Sequence, residues 1–427
     1  MVEKLISISL KNRFIVLLIA ACLFAWGIYS ITKNPIDAIP DLSENQVIVF
    51  TEWMGRSPQV IEDQVTYPLV SNLQGIPKVK NIRGTSMFGM SFVYLIFEEG
   101  VDIYWARTRV MERLNFAQKL LPQDVVPTLG PDGTGVGHIF WYHLEAPNMD
   151  LGEQRSLQDW YIKFGLQNVP GVAEVASFGG FQKQYQIVIE PHKLTYYGLT
   201  LMDVLKAVKS NNNDVGGRKF EMTDMAYIIR GLGYIKSIED IQNIPVSTRN
   251  SIPVKIKDLG TVQMGGDLRL GIFDMNGTGE VVGGIVVMRY GENANKVIKA
   301  VKAKMKEVEK GLPEGVKFKI SYDRSDLIGQ SIDSVKETLI EEMIVMSVVV
   351  LIFLFNWRSA LVVIIQIPVS VSIGFILLEA FGISSNIMSL TGIALAIGVV
   401  VDDGIVMVEN AYRHISEAQE EKESYEL

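Results

Sequence analysis

The segment 386–411, NIMSLTGIALAIGVVVDDGIVMVENA, constrains the fold of this chain more than any other stretch. It is apolar and exceeds the about 20 residues that a helix needs to cross a bilayer. Its interior nevertheless holds Asp402 and Asp403, and Glu409 lies near one end. An acidic side chain at the centre of a membrane helix costs about 2.5–3.5 kcal/mol on insertion scales. We therefore expect these carboxylates to face a protein interior or a wet path and to have a function.

The spacing of the three carboxylates predicts a proton relay. At about 100° per residue, Asp402 and Glu409 fall on one helix face roughly 10 Å apart along the axis, and Asp403 points to the side. Desolvation favours the protonated form of such an acid, which can then take up and release a proton. This predicts Asp402 as the relay acid of a secondary transporter, with Asp403 and Glu409 beside it. The alternative is an acid buried only for packing, a purpose that one Asn or Ser would serve at lower cost.

Composition favours a membrane protein with a large polar domain. Hydrophobic residues make up 48% of the 427 residues, and the formal net charge is −8. The acidic balance and the absence of a Lys/Arg-rich run argue against nucleic acid as a partner. The single cysteine, Cys22, excludes a disulfide framework and a cysteine-based metal site.

Four membrane spans are predicted. The first apolar stretch, Phe14 to Ile31, has no small-residue cleavage site after it, so we expect an uncleaved span rather than a signal peptide. Lys and Arg residues flank the spans on one side, which by the positive-inside rule places both termini in the cytoplasm and the intervening domain outside. The predicted segments are a cytoplasmic N-terminus with span 1 at 1–33, span 2 at 338–357, span 3 at 360–380, span 4 at 386–411 and a cytoplasmic tail at 412–427.

The external region contains an internal repeat. The segment 73–79, LQGIPKV, recurs at an offset of 93 as 166–172, LQNVPGV, each after a helical pattern and before a strand. Each copy reads as strand, helix, strand, twice over, which is the ferredoxin-like split βαβ arrangement. The sequence thus predicts an α+β membrane protein with two ferredoxin-like subdomains, the second interrupted by an insert. The predicted bounds are 34–137 for subdomain 1, 138–190 with 281–330 for subdomain 2, and 191–280 for the insert.

A glycine-rich segment, 130–137, joins the two copies. It lacks both GxGxxG and the Gly-Lys-Ser/Thr of a P-loop, so we expect a flexible connector rather than a nucleotide site. Because the chain has no P-loop, a proton gradient is a more natural energy source than ATP.

The order of one span, a duplicated external domain with an insert, and three spans ending in AIGVVVDDGIVMVEN resembles the N-terminal half of a resistance-nodulation-division (RND) efflux permease. The branch resembles the heavy-metal exporters, and Asp403 is more typical of the multidrug branch. Five motifs carry this resemblance: NPIDAIPDLS at 34–43, QVTYPL at 64–69, YWAR at 104–107, GPDGTGVG at 130–137 and RSLQDW at 155–160.

The resemblance implies a homotrimeric inner-membrane pump of a Gram-negative bacterium, driven by proton influx. It implies export through a periplasmic adaptor and an outer-membrane channel, with the external domain in the periplasm and the insert as a docking region for a neighbouring subunit. The relay aspartate of the family corresponds to Asp402. Such a permease has a second half, which supplies a basic partner for Asp402, so we expect this chain to need that half for transport.

The amino-acid sequence of the last span is most similar to those of the copper/silver exporters. The expected transported ion is therefore Cu(I) or Ag(I), and no cofactor is expected. Thioethers are soft ligands that suit Cu(I), and the candidate metal ligands are Met343, Met346, Met388 and Met407. Methionine also packs well among membrane helices, and this is the alternative for all four.

Other functions remain open at this stage. A divalent-metal (Co, Zn, Cd) or multidrug exporter half would share the same architecture. A protein of another class would be a truncated, non-transporting membrane remnant that only binds partners. An enzyme is disfavoured, because no Ser/His/Asp or Cys/His constellation can be placed together in the external region.

Overall fold

The structure is a computed structural model that describes residues 7–9, 11–222, 225–249, 251–269, 271–354 and 357–425. Within its helices and strands, some side chains lie outside the description. These are the side chains of residues 222, 339, 343, 346, 350, 351, 353, 354, 357–360, 363, 401, 416 and 419–425.

In the described part of the chain, strands and shorter helices occupy the region between the first apolar helix and the last three. The strands are β1 Gln46–Glu52, β2 Val79–Met87, β3 Met90–Phe97, β4 Pro127–Leu129, β5 Gly133–Glu145, β6 Val172–Phe178, β7 Lys183–Ile189, β8 Val215–Met222, β9 Met225–Gly231, β10 Pro245–Arg249, β11 Ile252–Lys255, β12 Gly260–Gly266, β13 Gly283–Arg289 and β14 Lys317–Asp323. The helices are α1 Arg13–Lys33, α2 Pro58–Ile61, α3 Tyr67–Leu73, α4 Ile103–Ala117, α5 Leu151–Leu157, α6 Lys163–Gln167, α7 Pro191–Tyr197, α8 Leu201–Ser210, α9 Ile238–Gln242, α10 Ile256–Leu259, α11 Ala294–Glu309, α12 Arg324–Leu354, α13 Trp357–Ala380 and α14 Ile387–Tyr425.

The first external unit consists of β1–β4 and α2–α4. Its strands form an antiparallel sheet in the order β2-β3-β1-β4. A π turn, Glu62–Thr66, joins α2 to α3. The buried apolar residues of this helix recur every fourth position, at Ile61, Val65, Leu69 and Leu73. Such a row drifts about 40° per step on a regular helix, and the extra residue of the π turn returns it to the sheet.

The second external unit consists of β5, β6, β13 and β14 with α5, α6 and α11. Its strand order, β14-β5-β13-β6, repeats that of the first unit. A π turn, Gln158–Ile162, again interrupts the first helix. The strand starts Val79 and Val172 reproduce the sequence offset, and the preceding residue has positive φ in both copies, at Lys78 (63°) and Gly171 (87°). The internal repeat read from the sequence is therefore present in the backbone.

The insert between β6 and β13 is larger than the predicted 191–280. Strand β7 pairs with β12 in a separate two-stranded sheet, not with the second unit. The interruption thus begins soon after Phe178, because the ladder from Lys183 to Ile189 matches β12 residue for residue. The hairpin β8–β9 projects from the insert, and every residue of β9 is exposed.

The glycine-rich segment is not the flexible connector that we expected. Residues from Gly133 onward belong to β5 and pair with β13. An added Cβ at Gly137 would lie 2.9 Å from the carbonyl oxygen of Met288. The glycines therefore allow close approach of two strands, a role that composition alone does not separate from flexibility.

Long apolar helices complete the described chain. By length and apolarity, α1 and the stretch Ile387–Ile415 of α14 are candidate membrane spans, and Ile364–Ala380 is a shorter apolar helix; this search covers the described residues only. Helix α12 begins at Arg324, directly after β14, which is 14 residues before the predicted span at 338–357. The spans at 338–357 and 360–380 remain predictions.

Candidate functional site

The acidic helix α14 packs on α13 through one narrow face. Leu390 and Ile397 are buried on the same stripe of α14 as Gly404, whereas the buried Ala394 borders a groove toward α12. The Nε2 atom of Gln366 on α13 donates to the carbonyl oxygen of Val400 at 3.0 Å. An added Cβ at residue 404 would lie 2.2 Å from Oε1 of the same glutamine. The glycine in the DDG sequence therefore lets the two helices come together beside the carboxylates.

The predicted relay residues lie away from that face. Asp402, Asp403 and Glu409 are all exposed. At about 100° per residue, Asp402 is about 160° around the helix from Gly404, and Asp403 is about 100° away. Within the described part of the chain, no hydrogen bond or ion pair of these three side chains is present. The structure thus brings them together only as neighbours on one helix.

A polar clasp that sequence reasoning missed joins α1 to α13. Gly27 contacts Ser372 so closely that an added Cβ would lie 2.3 Å from the serine Cβ. One turn later, the buried Ser30 hydroxyl donates to Glu379. Small residues and hydroxyls are what apolar helices use to approach each other. The serine and the glutamate lie at the ends of their apolar runs, and nothing in either run identifies the partner.

A buried ion pair forms the centre of the joint between the external domain and the apolar helices. Arg324, the first residue of α12, is 3% exposed, and its Nε atom lies 2.8 Å from Oδ1 of Asp37. Its Nη1 atom donates to the carbonyl oxygen of Val136 in β5. Burial raises the pKa of Asp37 above its ordinary value, and the guanidinium opposes that rise. Asp37 lies in the NPIDAIPDLS motif, which was the one available signal for this site.

The same linker holds the start of the acidic helix. The Asn34 side chain donates to the Ser385 hydroxyl at 2.9 Å, and the Ser385 amide donates to the Pro35 carbonyl at 2.9 Å. The amide of Asp37 donates to the Ser385 carbonyl at 3.0 Å. Asn386 then caps α14, because its Oδ1 accepts from the Ser389 amide at 3.0 Å. Residues 34–38 therefore connect α1, the first turn of α14 and the start of α12.

The candidate methionine ligands do not form one site. Met388 and Met407 are 66% and 61% exposed on α14. They are 19 residues apart, so at 1.5 Å per residue they are about 28 Å apart along the helix. The side chains of Met343 and Met346 lie outside the described residues. Among the residues that are described, no group of three or more His, Cys, Asp or Glu side chains could hold a metal ion.

Comparison with known proteins decides the family. Residues 5–426 match the model of the AcrB/AcrD/AcrF family. The chain belongs to this family. It is 48% identical to a putative cation efflux system protein, SilA, of Salmonella typhimurium, and 47% identical to the cation efflux system protein CusA of Escherichia coli K12. Each match covers 98% of this chain and 40% of the relative.

A solved structure supports the same placement. The crystal structure of a heavy metal efflux pump superposes with a TM-score of 0.85 at 33% identity, over 96% of this chain and 41% of that chain. The resemblance to the N-terminal half of a heavy-metal permease of the copper/silver group is confirmed. The chain spans about 40% of the length of these relatives.

Proposed function

We propose that this chain is the N-terminal half of a proton-driven inner-membrane permease that exports heavy-metal cations. The observation that carries the proposal is Asp402, a carboxylate in the middle of an apolar helix and off its packing face. Two relatives of this chain are described as a putative cation efflux system protein and a cation efflux system protein. A membrane acid with these surroundings is a functional residue by default.

We place α1, α12, α13 and α14 across the membrane, with both external units and the insert in the periplasm. The two units correspond to ferredoxin-like subdomains, supported by the strand order that both share. The exposed hairpin β8–β9 suits a docking role toward a neighbouring copy in a homotrimer. A periplasmic adaptor and an outer-membrane channel would complete the export path.

The chemistry assigned to this chain is proton uptake and release at Asp402. In this proposal Asp402 takes up a proton from the outer side and releases it on the inner side. Asp403 and Glu409, its neighbours on the same helix, are proposed to take part in the same relay. Because the first turn of α14 is bonded to the linker at Ser385, a shift of α14 would reach the second unit through Asp37 and Arg324.

The transported ion in this proposal is Cu(I) or Ag(I). Met388 and Met407 act as separate stepping ligands, since their spacing excludes a shared site, and Met343 and Met346 are proposed on sequence alone. We expect transport only together with the remaining part of the permease, because Asp402 and Asp403 have no basic partner among the described residues.

The test is metal tolerance of an exporter-deficient bacterial strain that carries this chain with the remaining part of such a permease. Wild type is compared with Asp402→Asn, and with Asp124→Asn as a matched control at an exposed loop position. We expect copper and silver tolerance that is lost in Asp402→Asn and kept in Asp124→Asn. Tolerance to zinc or cobalt instead would overturn the metal assignment, and equal tolerance with Asp402→Asn would overturn the proton mechanism.

A further inference from the structure

Three methionine residues meet at the tip of the hairpin β2–β3 in the first external unit. Met87 ends β2 and Met90 begins β3, and the two are directly opposite each other in the register. Only Phe88 and Gly89 separate them in the sequence. Directly opposite residues lie on the same face of a sheet, with Cβ atoms about 4.5–5.5 Å apart. The two thioether side chains therefore extend from adjacent points on one face.

The third methionine comes from the loop that follows β1. The Trp53 amide donates to the Gly89 carbonyl oxygen at 2.8 Å, and the Gly89 amide donates to the Arg56 carbonyl oxygen at 3.0 Å. These bonds hold the loop against the hairpin turn. A Cβ placed on Gly89 would lie 2.9 Å from the Sδ atom of Met54. The sulfur of Met54 thus lies beside the turn that joins the other two methionines.

Packing in the core does not explain these residues. Ser86 and Ser91, next to Met87 and Met90 on their strands, face the helical layer, where both hydroxyls lie 2.8 Å from the Thr66 hydroxyl. Side chains alternate along a strand, so the two methionines extend to the opposite, outer face. Residues 46–129 are all described, and none of the three methionines belongs to their apolar core. Filling gaps in a core, the usual use of methionine, is therefore not their role.

The chemistry of the cluster suits a soft monovalent cation. Thioethers are soft ligands that match Cu(I), and Ag(I) by the same softness. A methionine side chain has three rotatable bonds, so sulfur atoms that start from one turn can close on a single ion. Glu52 of β1 is directly opposite Met90 on the same outer face, and its carboxylate offsets the charge of the cation.

We propose that Met54, Met87 and Met90, the hairpin methionines, form a binding site for one Cu(I) or Ag(I) ion on the first external unit. Their three sulfur atoms coordinate the ion, and binding involves no electron transfer. The inference rests on the proposed function and deepens it, because it places a site for the exported ion outside the apolar helices. This site is separate from the candidate methionines of α12 and α14.

Silver-dependent oxidation of methionine tests the site residue by residue. The full chain is expressed with the remaining part of the permease, purified in detergent and treated with hydrogen peroxide, with or without silver nitrate in chloride-free buffer. Mass spectrometry of peptides then gives the rate of sulfoxide formation at each methionine. Met111 on α4 and Met202 on α8 are matched controls, since they are 58% and 56% exposed against 50% for Met54 and 52% for Met87.

We expect Ag(I) to slow the oxidation of the hairpin methionines by ~10-fold or more, because coordination withdraws the sulfur lone pair from the oxidant. The rates at Met111 and Met202 should not change, and Mg(II), a hard cation, should protect none of the five. No silver protection of the hairpin methionines, or equal protection of the two controls, would overturn the site.

A variant distinguishes one shared site from three separate contacts. Met87→Leu removes one ligand at nearly constant volume and should abolish most of the silver protection at Met54 and Met90, whereas Met202→Leu should leave it unchanged. Unchanged oxidation rates of Met54 and Met90 without silver would show that the hairpin is intact in Met87→Leu. Protection that persists in full in this variant would contradict shared coordination.

The site and the proposed function fail in different ways. Silver protection as expected, with metal tolerance kept in Asp402→Asn, would support the site and overturn the proton mechanism. Loss of tolerance in Asp402→Asn, with no silver protection of the hairpin methionines, would overturn the site alone.

Discussion

The two external units have the same strand order but different relations to the rest of the chain. The first unit is self-contained, because every buried residue of its core lies between Val47 and Val125. The core of the second unit also contains Ala38 from the linker after α1 and Ile328 from α12, both fully buried. One copy of the repeat is thus a free-standing subdomain, and the other shares its core with the segments that lead into the apolar helices.

Charged contacts show the same difference. In the first unit, Arg83 and Glu44 lie 3.7 Å apart with side chains that are 60% and 53% exposed. At the joint of the second unit, Arg324 and Asp37 lie 2.8 Å apart with side chains that are 3% and 19% exposed. An exposed pair contributes little to stability, whereas removing one partner of a buried pair is strongly destabilising. Of the two similar subdomains, the second is therefore the one whose stability depends on a charged contact with the segments that lead into the apolar helices.

The largest expected effect comes from removing one charge of the buried pair. Arg324→Met leaves the Asp37 carboxylate without its partner and should destabilise the second unit by about 3 kcal/mol, the lower end for a broken buried pair because Asp37 is partly exposed. Arg83→Met should change the stability of the first unit by less than about 1 kcal/mol. Hydrogen exchange with mass spectrometry in detergent measures the opening free energy of each unit separately.

A double variant supplies the control for this prediction. Asp37→Asn with Arg324→Met removes both charges and should recover part of the loss, because no buried charge then remains unpaired. If Arg324→Met lowered protection equally in both units, the contrast between a free-standing and a joined subdomain would be wrong.

Much of the fold was predictable because local sequence patterns indicate the helices and strands. Apolar spacing placed the first apolar helix within two residues of its observed bounds, 14–31 against Arg13–Lys33. It placed the start of the last one within one residue, although α14 continues to Tyr425 where the span was predicted to end at 411. The joint was not predictable in this way. Asp37 and Arg324 are 287 positions apart in the sequence. Neither lies in a sequence pattern that identifies the other as its partner. The same holds for the pairing of β7 with β12.

The residues of the candidate site also differ in how far the sequence alone identifies them. Asp402 could be selected from one helix alone, because a charge in an apolar run is improbable whatever its partners are. The methionine ligands could not, because a thioether in an apolar helix is unremarkable and its meaning depends on neighbours that the sequence does not identify.

A smaller effect is expected from the hydrogen bonds that occupy equivalent places in the two cores. In the second unit, the Tyr142 hydroxyl donates to Oε1 of Gln158 at 3.0 Å. In the first, the Thr66 hydroxyl lies 2.8 Å from the hydroxyls of both Ser86 and Ser91. Tyr142→Phe should cost about 1 kcal/mol, the usual net value of one buried hydrogen bond, and Thr66→Val should cost more, because it removes two. Exchange should show each loss confined to its own unit.

This pair of variants tests whether the units are similar inside despite their different surroundings. Gln158→Leu combined with Tyr142→Phe removes both partners and should be less costly than Tyr142→Phe alone. Losses from Tyr142→Phe that spread into the first unit would show that the two cores open together. The two units would then not be independent.

The smallest effect concerns pH. His143 in β5 is 5% exposed, and its Nδ1 lies 2.8 Å from the Ser321 hydroxyl. Burial lowers the pKa of His143 below its ordinary value of 6.5. Below pH 6.5 the His143 side chain therefore binds a proton in the unfolded chain but not in the folded second unit. The stability that is present above that pH is lost as the pH falls toward the folded pKa.

The first unit carries no histidine between residues 46 and 129, so acidification through this window should weaken the second unit more than the first. His143→Gln should remove the excess loss, and His138→Gln, at an exposed position on the same strand, should not. Opening free energies of β5 and β14 on either side of pH 6.5, corrected for intrinsic exchange rates, provide the measurement. An acid-induced loss that persists unchanged in His143→Gln would assign it to other groups and remove pH from the list of differences between the two units.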